Sequence, residues 1–252
     1  MQLPRNTFSE QSDIYSKVRP HYPSALYEWI SQMCIQRKNA WDCATGNGQA
    51  AVGLSAYFET VQATDISEQQ ISYAMQQENI TYSVSSAETT IFSPESFDLV
   101  VVAQALHWFD YDRFWPEVSR VARRDAFFCA WGYDWLSSTT EIDTILIKPL
   151  RSLLDPFWAK NNRLLWDGYH SKDIAFPYER LETPSFVLET QWRLDHLLEY
   201  MMTWSAFKNS RDDSAVVASI DHLISVAKTL VLSDKELPIR MPLKIVAGWI
   251  NK

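Results

Sequence analysis

The chain has 252 residues, 46% of them hydrophobic and 13% aromatic, enough for one large domain or a domain with an appended lid, without cross-links. Its 31 acidic against 23 basic residues leave a formal net charge of -8, which argues against nucleic acid and anionic membranes as partners. The three cysteines, Cys34, Cys43 and Cys129, lie far apart in apolar stretches, so neither a disulfide framework nor a metal site is expected.

Met1 to Ser12 lacks the apolar run of a secretory signal, and no stretch approaches the roughly 18 to 20 apolar residues of a membrane span. A soluble, cytoplasmic monomer or homodimer is expected. Residues 1–38 read as an N-terminal helical cap. From Asn39 to about Gly132 short apolar runs alternate with helical patterns, the signature of βαβ units and a doubly wound, mostly parallel α/β sheet. The strands fall at Ala40 to Cys43, Thr60 to Thr64, Thr81 to Val84, Phe97 to Ala103 and Ala126 to Trp131. The fourth is nearly continuous in Val and Leu, as a strand covered on both faces should be. After Asp110, a capping residue type, Phe114, Val118, Val121 and Ala122 recur on one helical face, with Pro116 in the first turns.

Residues 134–183 break this alternation with helical, aromatic and proline-punctuated sequence and read as an inserted helical lid. Phe186 to Leu194 and Leu237 to Ile250 then read as two further strands, with a helical stretch from Asp195 to about Leu230 between them. The two strands are expected to pair as a hairpin-like sheet edge, so that 184–252 completes the sheet begun by the core at 39–133.

The segment richest in chemistry is Ala40 to Gln49, which reads Ala-Trp-Asp-Cys-Ala-Thr-Gly-Asn-Gly-Gln, followed by Asp65 and Ile66 at the end of the next strand. Two glycines let backbone approach a ligand closely, and an acid about twenty residues on accepts ribose hydroxyls. Any adenosine-bearing cofactor fits this pattern. Gly46, Gly48 and Ala51 also satisfy the dinucleotide fingerprint, so an NAD(P)-dependent oxidoreductase is an alternative. Three features favour S-adenosylmethionine. Asp42, four residues before Gly46, suits the cationic amino group of a methionine moiety and would repel a pyrophosphate. Ala87 and Glu88, after the third strand, stand where a side chain and an amide reach an adenine edge. Gln104, His107 and Trp108 follow the fourth strand, at the carboxyl end where open α/β sheets bind ligands.

With these residues in place the sequence resembles the class I methyltransferases of the methyltransferase-11 type, and more narrowly the small-molecule group that includes trans-aconitate methyltransferase-like proteins. The resemblance covers roughly Phe8 to Tyr133. It rests on Tyr15, Arg19, Pro20, Tyr22 and Pro23 before the first strand, the loop from Asp42 to Gln49, Asp65, the pair Ala87 and Glu88, and the run Ala105 to Phe109 with His107 and Trp108. It implies a Rossmann-like methyltransferase fold with a seven-stranded sheet, S-adenosylmethionine as cofactor and S-adenosylhomocysteine as product. The cofactor positions it implies are Tyr15, Arg19, Asp42, Ala44, Gly46, Gly48, Asp65, Ile66, Ala87, Glu88, Gln104 and Trp108. Tyr15 and Arg19 would close over the cofactor, Arg19 pairing its carboxylate as a planar fork. Two departures stand out. Ala44 replaces the family's first loop glycine, which a loop needing no positive φ accepts, and the Pro-Gly-Gly turn before the fifth strand is replaced by residues 122–125.

Methyl transfer from a sulfonium is an in-line displacement that needs alignment and exclusion of water. A carboxylate acceptor needs no base, whereas an amine, phenol or carbon acid does. His107 is the candidate base, or alternatively orients the acceptor. Trp131, Tyr133 and Trp204 are candidate substrate walls, with a packing role equally open. The resemblance implies a small carboxylic acid as acceptor, and a protein that binds the cofactor without turnover is the third reading.

Overall fold

A computed structural model describes residues 20–232 and 234–251. Tyr15 and Arg19 lie outside the described residues.

The expected alternation is realised as α1 (Ser24–Met33), β1 (Asn39–Cys43), α2 (Gln49–Ser55), β2 (Thr60–Asp65), α3 (Glu68–Ser72), β3 (Ile80–Val84), β4 (Phe97–Ala103), α4 (Tyr111–Val121) and β5 (Ala122–Tyr133). Then come a helical run that includes α5 (Lys148–Leu154), then α6 (Asn162–Trp166), β6 (Val187–Arg193), α7 (Leu194–Met202), α8 (Ser205–Asn209), α9 (Ser214–Leu230) and β7 (Glu236–Ile250). Among the described residues the strands form one seven-stranded sheet in the order β3-β2-β1-β4-β5-β7-β6. The pairs among β1 to β5 are parallel, while β7 runs antiparallel to both β5 and β6.

Burial follows position in that order. β4, between β1 and β5, is buried from Phe97 through Val102, as its unbroken Val and Leu sequence requires. β7 carries two patterns. From Glu236 to Leu243 exposed and buried residues alternate, the mark of a strand with one wet face, and this part pairs with β6. From Val246 to Gly248, beside β5, burial is continuous.

Two elements differ from expectation. β5 starts at Ala122 rather than Ala126, because its polar opening residues bulge: the register to β4 shifts between Phe97 and Leu99 and Asp125 takes φ +61. Aspartate is one of the few side chains that tolerate this region, which explains how the chain dispenses with a glycine turn there. The stretch from Asp195 to Leu230 is three helices, interrupted around Trp204 and again before Asp213, whose side chain caps α9.

The chain divides into two compact units, one with residues 21–134, 163–186 and 243–252 and the other with residues 135–162 and 187–242 together with Pro20. The segment 134–183, expected to be a single lid, is thus shared between them. In the first unit, residues 163–186 form a strap packed on α4 and the sheet: Trp115 Nε1 donates to the Ile174 carbonyl at 2.7 Å, Leu181 N to Ala247 O and Leu243 N to Phe186 O. On α1, the Tyr27 ring fills the space above Gly53 of α2, where an added Cβ would lie 2.0 Å from the ring. Asp98, at the amino end of β4, accepts the Lys38 and Asn39 amides at 2.9 Å and pairs with Arg123, so its work is to fix the end of the sheet remote from the glycine loop. In the second unit Trp135, Trp158 and Trp204 pack against one another with centroids 5.3 to 5.7 Å apart.

Candidate active site

The loop after β1 is bent by three left-handed residues, Ala44 (φ +56), Gly46 (φ +57) and Gly48 (φ +85). The expectation that Ala44 avoids positive φ is therefore corrected: the loop does demand it, and an alanine bears the strain. A larger residue at Gly48 would be strained at φ +85 and would have to displace the Tyr82 hydroxyl, which lies 2.2 Å from an added Cβ and donates to the Met75 carbonyl. Thr45 N donates to Thr64 O at 2.8 Å, which ties the loop to β2.

Two carboxylates flank this loop in opposite conditions. Asp65, at the end of β2, accepts the Gly46 amide on Oδ2 at 2.9 Å and the Ser67 amide on Oδ1 at 2.8 Å, so it shapes the loop while each oxygen keeps a lone pair. Burial raises its pKa and these amides oppose the rise. Asp42 is wholly buried; its Oδ2 accepts the Thr45 hydroxyl at 2.5 Å, and its Oδ1 has no hydrogen-bond partner. Loss of hydration pushes its pKa up to about 7, against the opposing Thr45 hydroxyl and Ala51 amide. Ile66, next to Asp65, is 68% exposed.

After β3 the chain makes a tight turn in place of a helix. Ser86 Oγ donates to Glu88 Oε2 at 2.9 Å, and Glu88 Oε1 accepts the Asp110 amide at 3.3 Å, so Glu88 joins this turn to the start of α4. Ala87 is buried beside it. After β4, Gln104 takes φ +60 with its backbone amide on the Trp131 carbonyl, and its Nε2 is buried without a partner. A 3-10 turn, Leu106–Trp108, then buries His107 to 3% exposure and leaves Trp108 half-buried against it, with ring centroids 4.9 Å apart. Burial pushes the His107 imidazole down to about 3. At the end of β5, Trp131 is wholly buried with no partner for Nε1, edge-on to Tyr22 and Tyr27, while Tyr133 stacks on Tyr22.

Asp42, Asp65, Ala87, Glu88, Gln104, His107, Trp108, Trp131 and Tyr133 thus lie at or just after the carboxyl ends of the strands of one unit. Trp204 is packed in the aromatic cluster of the other unit. The sequence reading missed Tyr169, a wholly buried residue of the strap whose hydroxyl lies 3.5 Å from His107 Nδ1. It follows Gly168, the left-handed stop of α6, which is a legible helix end but gives no local sign of a site. No group of potential metal ligands occurs among the described residues, and no described helix is long and apolar enough to cross a membrane.

Buried polar atoms without partners are uncommon in native proteins. Asp42 Oδ1, Gln104 Nε2 and Trp131 Nε1 are three such atoms, within β1, just after β4 and within β5. An anionic oxygen suits an ammonium group, and the two N–H donors suit carboxylate or carbonyl oxygens. An amino-acid-bearing cofactor matches this set, and the glycine loop with Asp65 suits its nucleoside.

The methyltransferase domain family matches residues 41–130. A solved structure from Anaeromyxobacter dehalogenans, provisionally named a type II methyltransferase, is 36% identical, covers 92% of this chain and 98% of its own, and superposes with a TM-score of 0.83. A provisionally named methyltransferase of Dictyostelium discoideum is 27% identical over 246 residues, 95% of this chain and 93% of its own. A Saccharomyces cerevisiae protein, named by inference an S-adenosylmethionine-dependent methyltransferase, is 31% identical over 132 residues, 49% of this chain and 45% of its own. These likenesses decide between the two cofactors that the fingerprint of Gly46, Gly48 and Ala51 leaves open: the chain belongs to the methyltransferase domain family and is an S-adenosylmethionine-dependent methyltransferase.

Proposed function

We propose that this methyltransferase acts on a small molecule and that the accepting atom is a carboxylate oxygen. The observation that carries the reading is the state of His107. It is 3% exposed with Nδ1 against the Tyr169 hydroxyl, and such burial disfavours the imidazolium that a general base must become, so the site favours an acceptor that arrives already ionised. With Gln104 Nε2 assigned to the cofactor, the buried donor Trp131 Nε1 agrees with an oxygen anion. The motif resemblance to trans-aconitate methyltransferase-like proteins points the same way.

In this reading Asp42 Oδ1 holds the ammonium of the cofactor, and the lone pairs left on Asp65 accept the ribose hydroxyls. Ile66, Ala87 and Glu88 border the adenine, and Ala44, Gly46 and Gly48 let backbone approach. The family resemblance assigns Tyr15 and Arg19, which lie outside the described residues, to the amino-acid end of the cofactor. When bound, S-adenosylmethionine supplies an electrophilic methyl group on sulfur. The chain contributes alignment and dryness: Gln104 and Trp108 border the cofactor, His107 orients the acceptor, and Trp131 and Tyr133 wall the acceptor and exclude water.

Calorimetry with S-adenosylhomocysteine, followed by transfer from methyl-labelled S-adenosylmethionine across small mono-, di- and tricarboxylic acids with matched amines and phenols, tests this. Base-labile methyl esters of the acids are expected. Label transferred only to amines or phenols would overturn the carboxylate assignment.

A further inference from the structure

We propose that Tyr169 is a positioning residue: its hydroxyl donates to Nδ1 of His107 and locks the imidazole as the Nε2–H tautomer, which makes His107 a hydrogen-bond donor to the acceptor. The inference rests on the reading that His107 stands beside the acceptor, and it gives that residue a definite protonation pattern.

The backbone shows how firmly Tyr169 is placed. α6 ends in a Schellman pair, with Gly168 N on Leu165 O and Tyr169 N on Leu164 O, both at 2.8 Å, and Gly168 takes the expected left-handed φ of +66. Tyr169 then repeats the left-handed conformation at φ +59, which is unfavourable for a bulky aromatic and persists only where surrounding contacts enforce it. One such contact is the Arg180 guanidinium, which donates to the Tyr169 carbonyl and lies 5.3 Å over the Phe176 ring. The strained backbone delivers a wholly buried ring whose Oη is 3.5 Å from His107 Nδ1, a long contact of the kind that tightens in a loaded site.

The direction of that hydrogen bond follows from satisfying buried protons. Burial raises the Tyr169 pKa, so the phenol keeps its proton. Among the described residues His107 is the one hydrogen-bond partner of that hydroxyl. A buried O–H with no acceptor carries a desolvation penalty, so Tyr169 donates and Nδ1 accepts. A neutral imidazole that accepts at Nδ1 carries its hydrogen on Nε2. Such a group hydrogen-bonds an oxygen that is already anionic and does not take a proton from a neutral one.

The test is nitrogen-15 spectroscopy of the histidine rings in the full chain without ligand, with the His107 signals among the five histidines assigned by their loss in His107→Gln. The expected result is a single neutral Nε2–H tautomer with Nδ1 unprotonated at pH 7, and a mixture of tautomers in Tyr169→Phe, which keeps the ring and the packing. An Nδ1–H form in the wild type, or a tautomer unmoved by Tyr169→Phe, overturns the proposal. With any acid found to be methylated, Tyr169→Phe should lower kcat by about tenfold while KM and S-adenosylhomocysteine affinity stay within about twofold. Failure of all acids as acceptors would remove the carboxylate reading and leave the tautomer result standing.

Discussion

Ala44 and Asp42, two residues apart, pull the glycine loop in different energetic directions. A left-handed L-residue costs roughly 1 to 2 kcal/mol, and Ala44 takes that conformation at φ +56. Ala44→Gly is expected to raise the melting temperature by about 2 to 4 °C for each kcal/mol recovered; an unchanged melting temperature would show that neighbouring contacts absorb the strain. For Asp42 the sign follows from its folded pKa of about 7 against an ordinary 3.8. The native state binds the proton more tightly than the unfolded one, so the stabilising contribution is fully present below about pH 4 and is lost as pH rises towards 7. Asp42→Asn should flatten that decline in a melting-temperature series from pH 4 to 8 while weakening cofactor binding. Because a cation prefers the ionised carboxylate, wild-type affinity for S-adenosylmethionine should rise about tenfold between pH 6 and pH 8 in calorimetry. Asp42 is picked out by its place four residues before Gly46, whereas the left-handed backbone at Ala44 is hidden, since an alanine gives no sign of positive φ. Tyr169 is hidden too, since its partner His107 lies 62 residues away and a tyrosine in an aromatic-rich stretch carries no local mark.

At the scale of elements, the strands are the legible part. β4 announces itself by unbroken Val and Leu, and the sequence span assigned to β7 matches to within one residue. The start of β5 was obscured because residues 123–125 are charged, and a bulge is a pairing property that a single strand does not display. The strap was likewise hidden: its role depends on Gly248, far along the chain, whose bare Cα admits the Glu179 carbonyl. A Cβ on residue 248 would lie 2.5 Å from that backbone oxygen, which cannot swing away as a side chain would. Gly248→Ala is therefore expected to destabilise the protein by about 1 to 3 kcal/mol, read as a lower melting temperature. An increase would mean that the strap is not held on β7.

For the molecule as a whole, the doubly wound class and its seven strands follow from alternation of apolar runs, a signal spread along the chain and robust to local errors. The division of residues 134–183 between two units follows from long-range packing and has no counterpart in local pattern. Binding of the cofactor product is a property at this scale. S-adenosylhomocysteine at a hundred times its dissociation constant should add about 2.7 kcal/mol to stability, with no matching effect from NADH. Thermal shift measurements check this, and stabilisation by NADH alone would contradict the cofactor assignment.

The place of β7 has a kinetic consequence. It is the last described strand along the chain, yet it lies between β5 and β6, and its Trp249 indole donates to the Met33 carbonyl across 216 residues. Chain segments this remote must close a long loop before they gain any contact, so such topologies fold slowly. Until β7 inserts, β5 has an open, apolar edge and β6 has no strand to pair with. The order expected from this topology is collapse of the parallel core before completion of the sheet, with the slot beside β5 as the place where a second chain would pair wrongly.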